Sequence, residues 1–346
     1  MSKKSEKDES KKKDQPHGMS REEYTAWVRQ GIGNVIASNE IKPREVISSG
    51  SICLDRILGI GGFPKGAIVE LWGIAGSGKS TIAITTAIEA QKNKKTVIYI
   101  DAEHSFDNEY AKYLGLDFDR FIRHSTDNMG NFSAENIMNI TKQALLSPDI
   151  ELVIIDSLPA LIPRKTLEEM EEDIDESGRS FPLLPGILSR WLPKFMQITA
   201  YENKLLLVIN QVRANTNAGW SVFAPPFIRP CGKALEHATK ILLQLMPSKA
   251  ISEGQKNIGR WVRVKIDKSK VAKSQEGEFP LIQGEGIDIV REVEMLAKEF
   301  KIFGEQDGKY TYRDQVIGKT IAGLRGFARN NPTLFEELIM EIRNAE

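Results

Sequence analysis

The sequence predicts an α/β fold, a mostly parallel sheet flanked by helices, and three observations carry that expectation. Short apolar runs fall at 67–72, 96–100, 152–155, 205–209, 241–245 and 262–266, and each reads as a strand. Helical runs lie between them, the clearest at 79–93, and alternation of strand with helix is the pattern of a covered parallel sheet. Three of the strands end in polar residues, at 101–104, 156–157 and 210–213, and sheets of this kind bind ligands beyond their carboxyl ends.

The chain has 346 residues, which suggests about two domains, and its 41% hydrophobic content is ample for a core. Lys plus Arg (47) balance Asp plus Glu (47), so any surface for a polyanion has to be local. Cys53 and Cys231 are far apart and fit no metal or redox spacing, as in a reducing cytosol. No apolar run approaches the length of a membrane span and no signal peptide is expected, so the reading is cytoplasmic with no membrane partner.

Residues 1–19 are rich in Lys, Glu, Asp and Ser and read as a disordered charged tail. Residues 20–45 follow as an N-terminal helix and oligomerisation segment. Ser20 and Glu23 form an S-x-x-E capping box, and Tyr24, Trp27 and Val28 share one face that needs a partner surface.

An ATPase core is expected over 46–286. It is organised around Gly73-Ile74-Ala75-Gly76-Ser77-Gly78-Lys79-Ser80, which matches G-x-x-x-x-G-K-[ST] without substitution, followed by Thr81. The glycines Gly73, Gly76 and Gly78, with Ser77, let backbone N–H groups converge on phosphate oxygens at a helix N-terminus. Lys79 is placed on the terminal phosphates and Ser80 on Mg²⁺, with Thr81 a second hydroxyl at the helix start, so ATP and Mg²⁺ are the expected ligands. Asp156 closes the run 152–155 in the form of a Walker-type carboxylate that holds the metal. Glu103, just past a strand end, suits a general base that takes a proton from water, and equally suits an exposed loop acid. Gln211 fits either a sensor of the γ-phosphate or a backbone hydrogen bond.

These residues carry a resemblance. IDAEH at 100–104, LVIIDS at 152–157, VINQVR at 208–213 and GEGI at 284–287 look like the bacterial RecA recombinase family, and the similarity runs over about 45–335. It also takes in SSGSICLDRILGIGGFPKGAIVELWG and DGKYTYRDQVIGKTIAGLRGFARNNP. The resemblance implies a RecA-like P-loop ATPase core and a DNA-dependent ATPase. It implies a homo-oligomeric helical filament on single-stranded DNA that pairs it with a homologous duplex and exchanges strands. Glu103 becomes the catalytic carboxylate, and Gln211 links the γ-phosphate to a DNA loop. Asp107 and Tyr110 match positions beside the adenine, whereas Gln283 stands where the family usually has a stacking tyrosine. Lys268 and Lys270, two apart and so on one side of an extended chain, match a pair that reaches the ATP of the neighbouring subunit.

Two stretches correspond to the family's DNA-binding loops. The first, roughly 168–184, opens with acids that repel phosphate and continues through Arg179 and Phe181; Ser189 is a further DNA-binding expectation. The second, 213–232, interleaves Arg213, Trp220, Phe223, Phe227 and Arg229 with Gly and Pro, a composition that suits stacking on single strands. Packing on its own domain explains Phe227 equally well. Gly232 and Lys233 follow at the expected phosphate backbone. Residues 287–346 resemble the family's small α+β C-terminal domain, where Lys301, Lys309, Arg313, Lys319, Arg325 and Arg329 offer a basic surface for duplex DNA or simply a solvated face. The family's long acidic tail has no counterpart, and together with the variant loops this is expected of a diverged, phage-encoded member. The competing readings are a recombination mediator that hydrolyses ATP poorly and a hexameric motor on the same core, both without strand exchange.

Overall fold

The computed structural model describes residues 20, 22, 23, 26, 44–125, 133–171, 183–214, 227–271 and 275–345. The chain divides into two units, Met1–Arg44 and Glu45–Glu346. Within the first, Glu23 N donates to Ser20 Oγ at 3.2 Å and Ser20 N donates to Glu23 Oε2 at 2.8 Å, the reciprocal pair of a capping box. Residues 22, 23 and 26 are helical. Tyr24, Trp27, Val28 and the tail 1–19 lie outside the described residues.

In the second unit, β1 (Val46–Ile47) pairs antiparallel with β2 (Phe63–Pro64). The central strands then follow as β3 (Ala67–Gly73), β4 (Thr96–Asp101), β5 (Phe121–His124), β6 (Ile150–Asp156) and β7 (Leu205–Gln211). A short antiparallel pair, β8 (Arg213–Ala214) and β9 (Phe227–Ile228), precedes β10 (Ile241–Glu253), β11 (Lys256–Ser269), β12 (Glu276–Ile282) and β13 (Gly286–Ile287). Among the described residues one nine-stranded sheet has the order β13-β12-β11-β10-β3-β7-β6-β4-β5. From β10 to β5 all neighbours are parallel, and from β10 to β13 they are antiparallel.

Burial explains why the central strands read as continuous apolar runs. Val69, Leu71, Leu152, Ile154, Leu205 and Leu207 face one core, while Ile68, Val153, Ile155, Leu206 and Val208 face a second core on the other side. Successive residues point to opposite faces, so a strand covered on both is apolar at nearly every position, and the exception in β3, the buried Glu70, is met by Asn210 and Arg229. The first face carries α2 (Lys79–Gln91), preceded in the chain by α1 (Ile52–Ile57) and followed by α3 (Asn108–Leu114). The second carries α4 (Ala134–Leu146), α6 (Leu183–Glu202) and α7 (Gly232–Ala238), with α5 (Arg164–Glu171) between α4 and α6 in sequence.

All six expected strands form, and two are much longer than their apolar runs. Past Met246 every β10 residue but Ile251 is partly or fully exposed as the β10–β11 ribbon leaves the helix-covered sheet. Hydrophobicity therefore stops before the hydrogen-bond ladder does. The stretch expected as the first DNA loop is bounded more tightly than 168–184, because α5 runs on to Glu171 and α6 begins at Leu183. Leu, Met and Glu are good helix formers, which carries α5 into the acidic run.

The C-terminal segment contains α8 (Ile289–Glu299), a three-stranded sheet of β14 (Gly304–Gln306), β15 (Lys309–Tyr312) and β16 (Gln315–Val316), then α9 (Ile321–Asn330) and α10 (Pro332–Asn344). Polar contacts staple it to α1: Glu292 accepts from Ile52 N at 2.8 Å, Arg343 pairs with Asp55 at 2.9 Å, and Arg56 donates to Ala345 O at 2.7 Å.

Candidate nucleotide site and nucleic-acid interface

The site is built where β3 ends and α2 begins. Gly76 (φ +72) and Gly78 (φ +87) adopt left-handed backbone that other residues resist, and this bends the loop back on itself. Gly78 is the N-cap of α2 and supplies no side-chain cap, so the first N–H groups of α2 face outward with the positive end of the helix dipole. Lys79, the first residue of α2, is buried and curls over the loop, donating from Nζ to Gly73 O at 3.1 Å and Ile74 O at 2.8 Å. Burial pulls its ammonium below the usual lysine range, while Asp156 and Glu103 act the opposite way.

Asp156 ends β6 two strands away from β3. Its Oδ2 accepts from Ser80 Oγ at 2.7 Å and from Tyr99 Oη at 2.5 Å. Burial pushes its carboxyl up, and those two hydrogen bonds oppose the shift. Among the described residues no group of three or more His, Cys, Asp and Glu could hold a metal. One hydroxyl beside one carboxylate nevertheless fits Mg²⁺ bound with nucleotide phosphates, since that ion keeps most of its water and needs few protein ligands.

Glu103 is positioned by the turn after β4. Asp101 accepts from Ser105 N at 3.0 Å and Phe106 N at 3.3 Å, which folds that turn and leaves Glu103 partly buried. Gln211, the last residue of β7 and register partner of Gly73, donates from Nε2 to both Glu103 oxygens, at 2.7 and 2.5 Å. The candidate base and the candidate sensor are thus directly joined.

Beside the loop lies a cleft of 380 Å³ lined by Gly76 and Thr81 on one side, Asp107 and Tyr110 from the start of α3, and Gly259 to Arg260 and Leu281 to Gly284 from β11, β12 and the turn after β12. Asp107 accepts from Tyr110 N at 3.0 Å as the N-cap of α3, and Tyr110 Oη shares a 3.1 Å hydrogen bond with Thr81 Oγ1. The phosphate loop, Asp107, Tyr110 and Gln283 therefore border one cavity.

A family model described as the RecA N-terminal domain matches residues 28–288. The chain belongs to the RecA family. This RecA-family chain is 33% identical over 298 residues to "Protein RecA" of Anaplasma marginale (strain Florida), covering 86% of this chain and 79% of the relative. It is 32% identical over 339 residues to that of Porphyromonas gingivalis, covering 97% and 96%. It is 31% identical over 322 residues to that of Aquifex aeolicus, covering 92% and 89%.

The remaining expected positions of the RecA-family chain fall elsewhere. Lys268 Nζ donates to Glu236 O and Lys270 Nζ to His237 O at 3.4 Å, so both ammonium groups cap the C-terminal end of α7. Arg229 pairs with Glu236 at 3.0 Å and with the fully buried Glu70 at 3.4 Å, and lies over the Trp72 ring at 5.8 Å. Arg213 is in β8, Gly232 and Lys233 open α7, and Ser189 sits exposed on α6 with its hydroxyl on Pro185 O at 2.8 Å. Arg179, Phe181, Trp220 and Phe223 lie outside the described residues. In the C-terminal segment Arg313 pairs with Glu337, Lys319 with Glu305, and Arg325 with Glu253 and Asp288. Among the described residues no helix is long and apolar enough to cross a membrane.

Sequence reasoning missed Tyr99, which holds Asp156, and Arg260, which enters the cleft. The signals were present. A tyrosine hydroxyl inside a buried strand needs a partner, and Arg260 is in phase with Val262, Val264 and Ile266 on β11.

Proposed function

We propose that this chain is a DNA-dependent ATPase and recombinase that forms a helical filament on single-stranded DNA and promotes homologous pairing and strand exchange. The observation that carries the reading is the convergence of Lys79, the Ser80–Asp156 pair and the Gln211–Glu103 pair around one phosphate loop. Lys79 and the uncapped N-terminus of α2 would bind the phosphates, and Asp107 with Tyr110 would border the base. Ser80 and Asp156 would hold Mg²⁺, whose bound charge neutralises the phosphoryl oxygens. Glu103 would take the proton of the attacking water at a carboxylate oxygen. Because Gln211 occupies both of those oxygens, a movement of Gln211 exposes them. β7 ends at Gln211 and the second DNA-loop stretch begins two residues later, at Arg213, which makes DNA binding a natural trigger.

Lys268 and Lys270 would act on the neighbour's nucleotide. Lys268 pairs in register with Leu242, and Leu242 with Glu70, whereas the phosphate loop leaves β3 beyond Gly73. Within one chain the lysines and the loop point off different ends of the sheet, and a neighbour in the filament removes that separation. A head-to-tail interface of this kind grows without closing.

The test is ATP hydrolysis with and without single-stranded DNA, together with a mixture of a Lys268→Ala/Lys270→Ala variant and a Lys79→Ala variant. Strong stimulation by DNA and partial recovery in the mixture are expected. Recovery follows because a double-variant subunit still holds ATP while its neighbour supplies the lysines. No stimulation by any DNA would sink the recombinase reading.

A further inference from the structure

We propose that Arg260 covers the nucleotide base in this chain, its guanidinium plane stacking on the purine with the Gln283 carboxamide beside it. The proposal deepens the nucleotide-binding reading above and rests on it. The cleft adjoins the loop before α2 at Gly76 and Thr81, so a nucleotide whose phosphates sit in that loop can place its base there, and a flat cover on a face of a purine stabilises it by stacking. On the α3 wall Tyr110 is fixed by its hydrogen bond to Thr81. Among the described residues the opposite wall, from β11, β12 and the turn that follows β12, has no aromatic ring. It offers Gly259, Arg260, Leu281, Ile282, Gln283 and Gly284. Of these the guanidinium is the broadest delocalised plane, and arginine stacks on aromatic faces by cation–π attraction and dispersion.

The backbone places that plane at the cleft. A Cβ on Gly259 would come within 2.3 Å of Leu281 O, so only glycine lets β11 lie this close to β12. Val262 and Val264 are wholly buried on the same strand face, and Arg260, in phase with them, is its first exposed member toward the cleft. Arg260 Nη1 reaches within 4.0 Å of where a Cβ on Gly76 would stand, which puts the side chain alongside the phosphate loop. Among the described residues Arg260 is the sole cation lining the cleft, and its side chain makes no ion pair or hydrogen bond there.

The proposal separates base stacking from a simple charge contact to phosphate. Affinities for ATP and for inorganic tripolyphosphate, a base-free probe, are measured by calorimetry for wild type, Arg260→Ala, Arg260→Lys and Arg260→Ala/Gln283→Tyr, with thermal unfolding as the check on folding. Arg260→Ala is expected to weaken ATP binding about tenfold and leave tripolyphosphate binding unchanged. Arg260→Lys keeps the charge without the plane and should lose as much. Gln283→Tyr in the Arg260→Ala background should restore ATP affinity by supplying a ring from the same wall. Equal losses for ATP and tripolyphosphate, or a lysine variant that behaves as wild type, would overturn base stacking in favour of a phosphate contact. Unchanged ATP affinity in Arg260→Ala would remove Arg260 from the site altogether. Failure of the wild type to bind ATP would instead overturn the nucleotide reading itself.

Discussion

Replacing Glu292 by glutamine should change how the stability of the fold responds to pH. Glu292 is fully buried on α8, where it accepts from Ile52 N at 2.8 Å and bonds to the Ser51 hydroxyl, so one carboxyl joins the C-terminal segment to the start of α1. Burial pushes its pKa up to about 8 from an ordinary 4.5, against the pull of the hydrogen bonds from Ser51 and Ile52. Between those values the folded chain keeps a proton that the unfolded chain has released. The stabilisation is therefore complete below 4.5 and is lost as pH rises through 8. One proton is worth about 1.4 kcal/mol per pH unit, so a rise from about pH 5.5 to about 7.5 removes about 3 kcal/mol. Glutamine keeps the shape and the acceptor but has no proton to exchange. Urea unfolding of wild type and Glu292→Gln at matched pH isolates this group, because all other titrations are common to both. The wild type should lose about 3 kcal/mol relative to the variant over that interval and run parallel to it above about pH 9. Parallel curves across the interval itself would refute a protonated Glu292 in the folded state.

Two further outcomes concern the catalytic reading. Glu103→Gln should lower DNA-stimulated kcat by about 10²–10⁴-fold while ATP affinity measured by calorimetry stays nearly constant, as removal of a general base requires. Tyr99→Phe deletes the 2.5 Å hydrogen bond to Asp156 and should cost about 1.5–3 kcal/mol in urea unfolding. The same variant should raise the Mg²⁺ concentration needed for half-maximal hydrolysis, since Asp156 loses the donor that orders its carboxylate.

The parts of the fold legible in the sequence were those with burial on both faces. β3, β4, β6 and β7 are covered by helices on each side and so appear as apolar runs, broken in β3 by the buried Glu70. β5 was not legible, because it is an edge strand of four residues in which Phe121 is buried and Ile122 is 52% exposed. β12 was hidden by Pro280 and Gly277, residues that ordinarily argue against a strand. In the site, Lys79, Ser80 and Asp156 were legible because a phosphate loop and a strand-terminal carboxylate have fixed local spacing. The Gln211–Glu103 and Tyr99–Asp156 contacts join different strands, and no local pattern encodes which side chains meet across a sheet. Arg229 shows the same limit. Its loop composition suggested a DNA contact, and the fold brings Glu70 and Glu236 to it.

β11 joins these observations into one argument about assembly. Arg260 stands near one end of the strand and Lys268 near the other, eight positions apart and thus about 26 Å along an extended chain. The first end borders the cleft beside the chain's own phosphate loop, and the second rests on the C-terminal carbonyls of α7. A rigid strand cannot fold back to bring both ends to one nucleotide. If both ends serve nucleotides, they serve two, with Arg260 on the chain's own and the lysines on a neighbour's. The capped position of the lysines also sets a cost on leaving, because α7 then loses the cations at the negative end of its dipole. Only a more strongly charged partner than two backbone carbonyls offsets that loss, and the phosphates of a bound nucleotide meet the requirement while a vacant neighbouring site does not. If Lys268 and Lys270 close the interface as proposed, the interface would for that reason be sensitive to whether the adjacent subunit holds ATP.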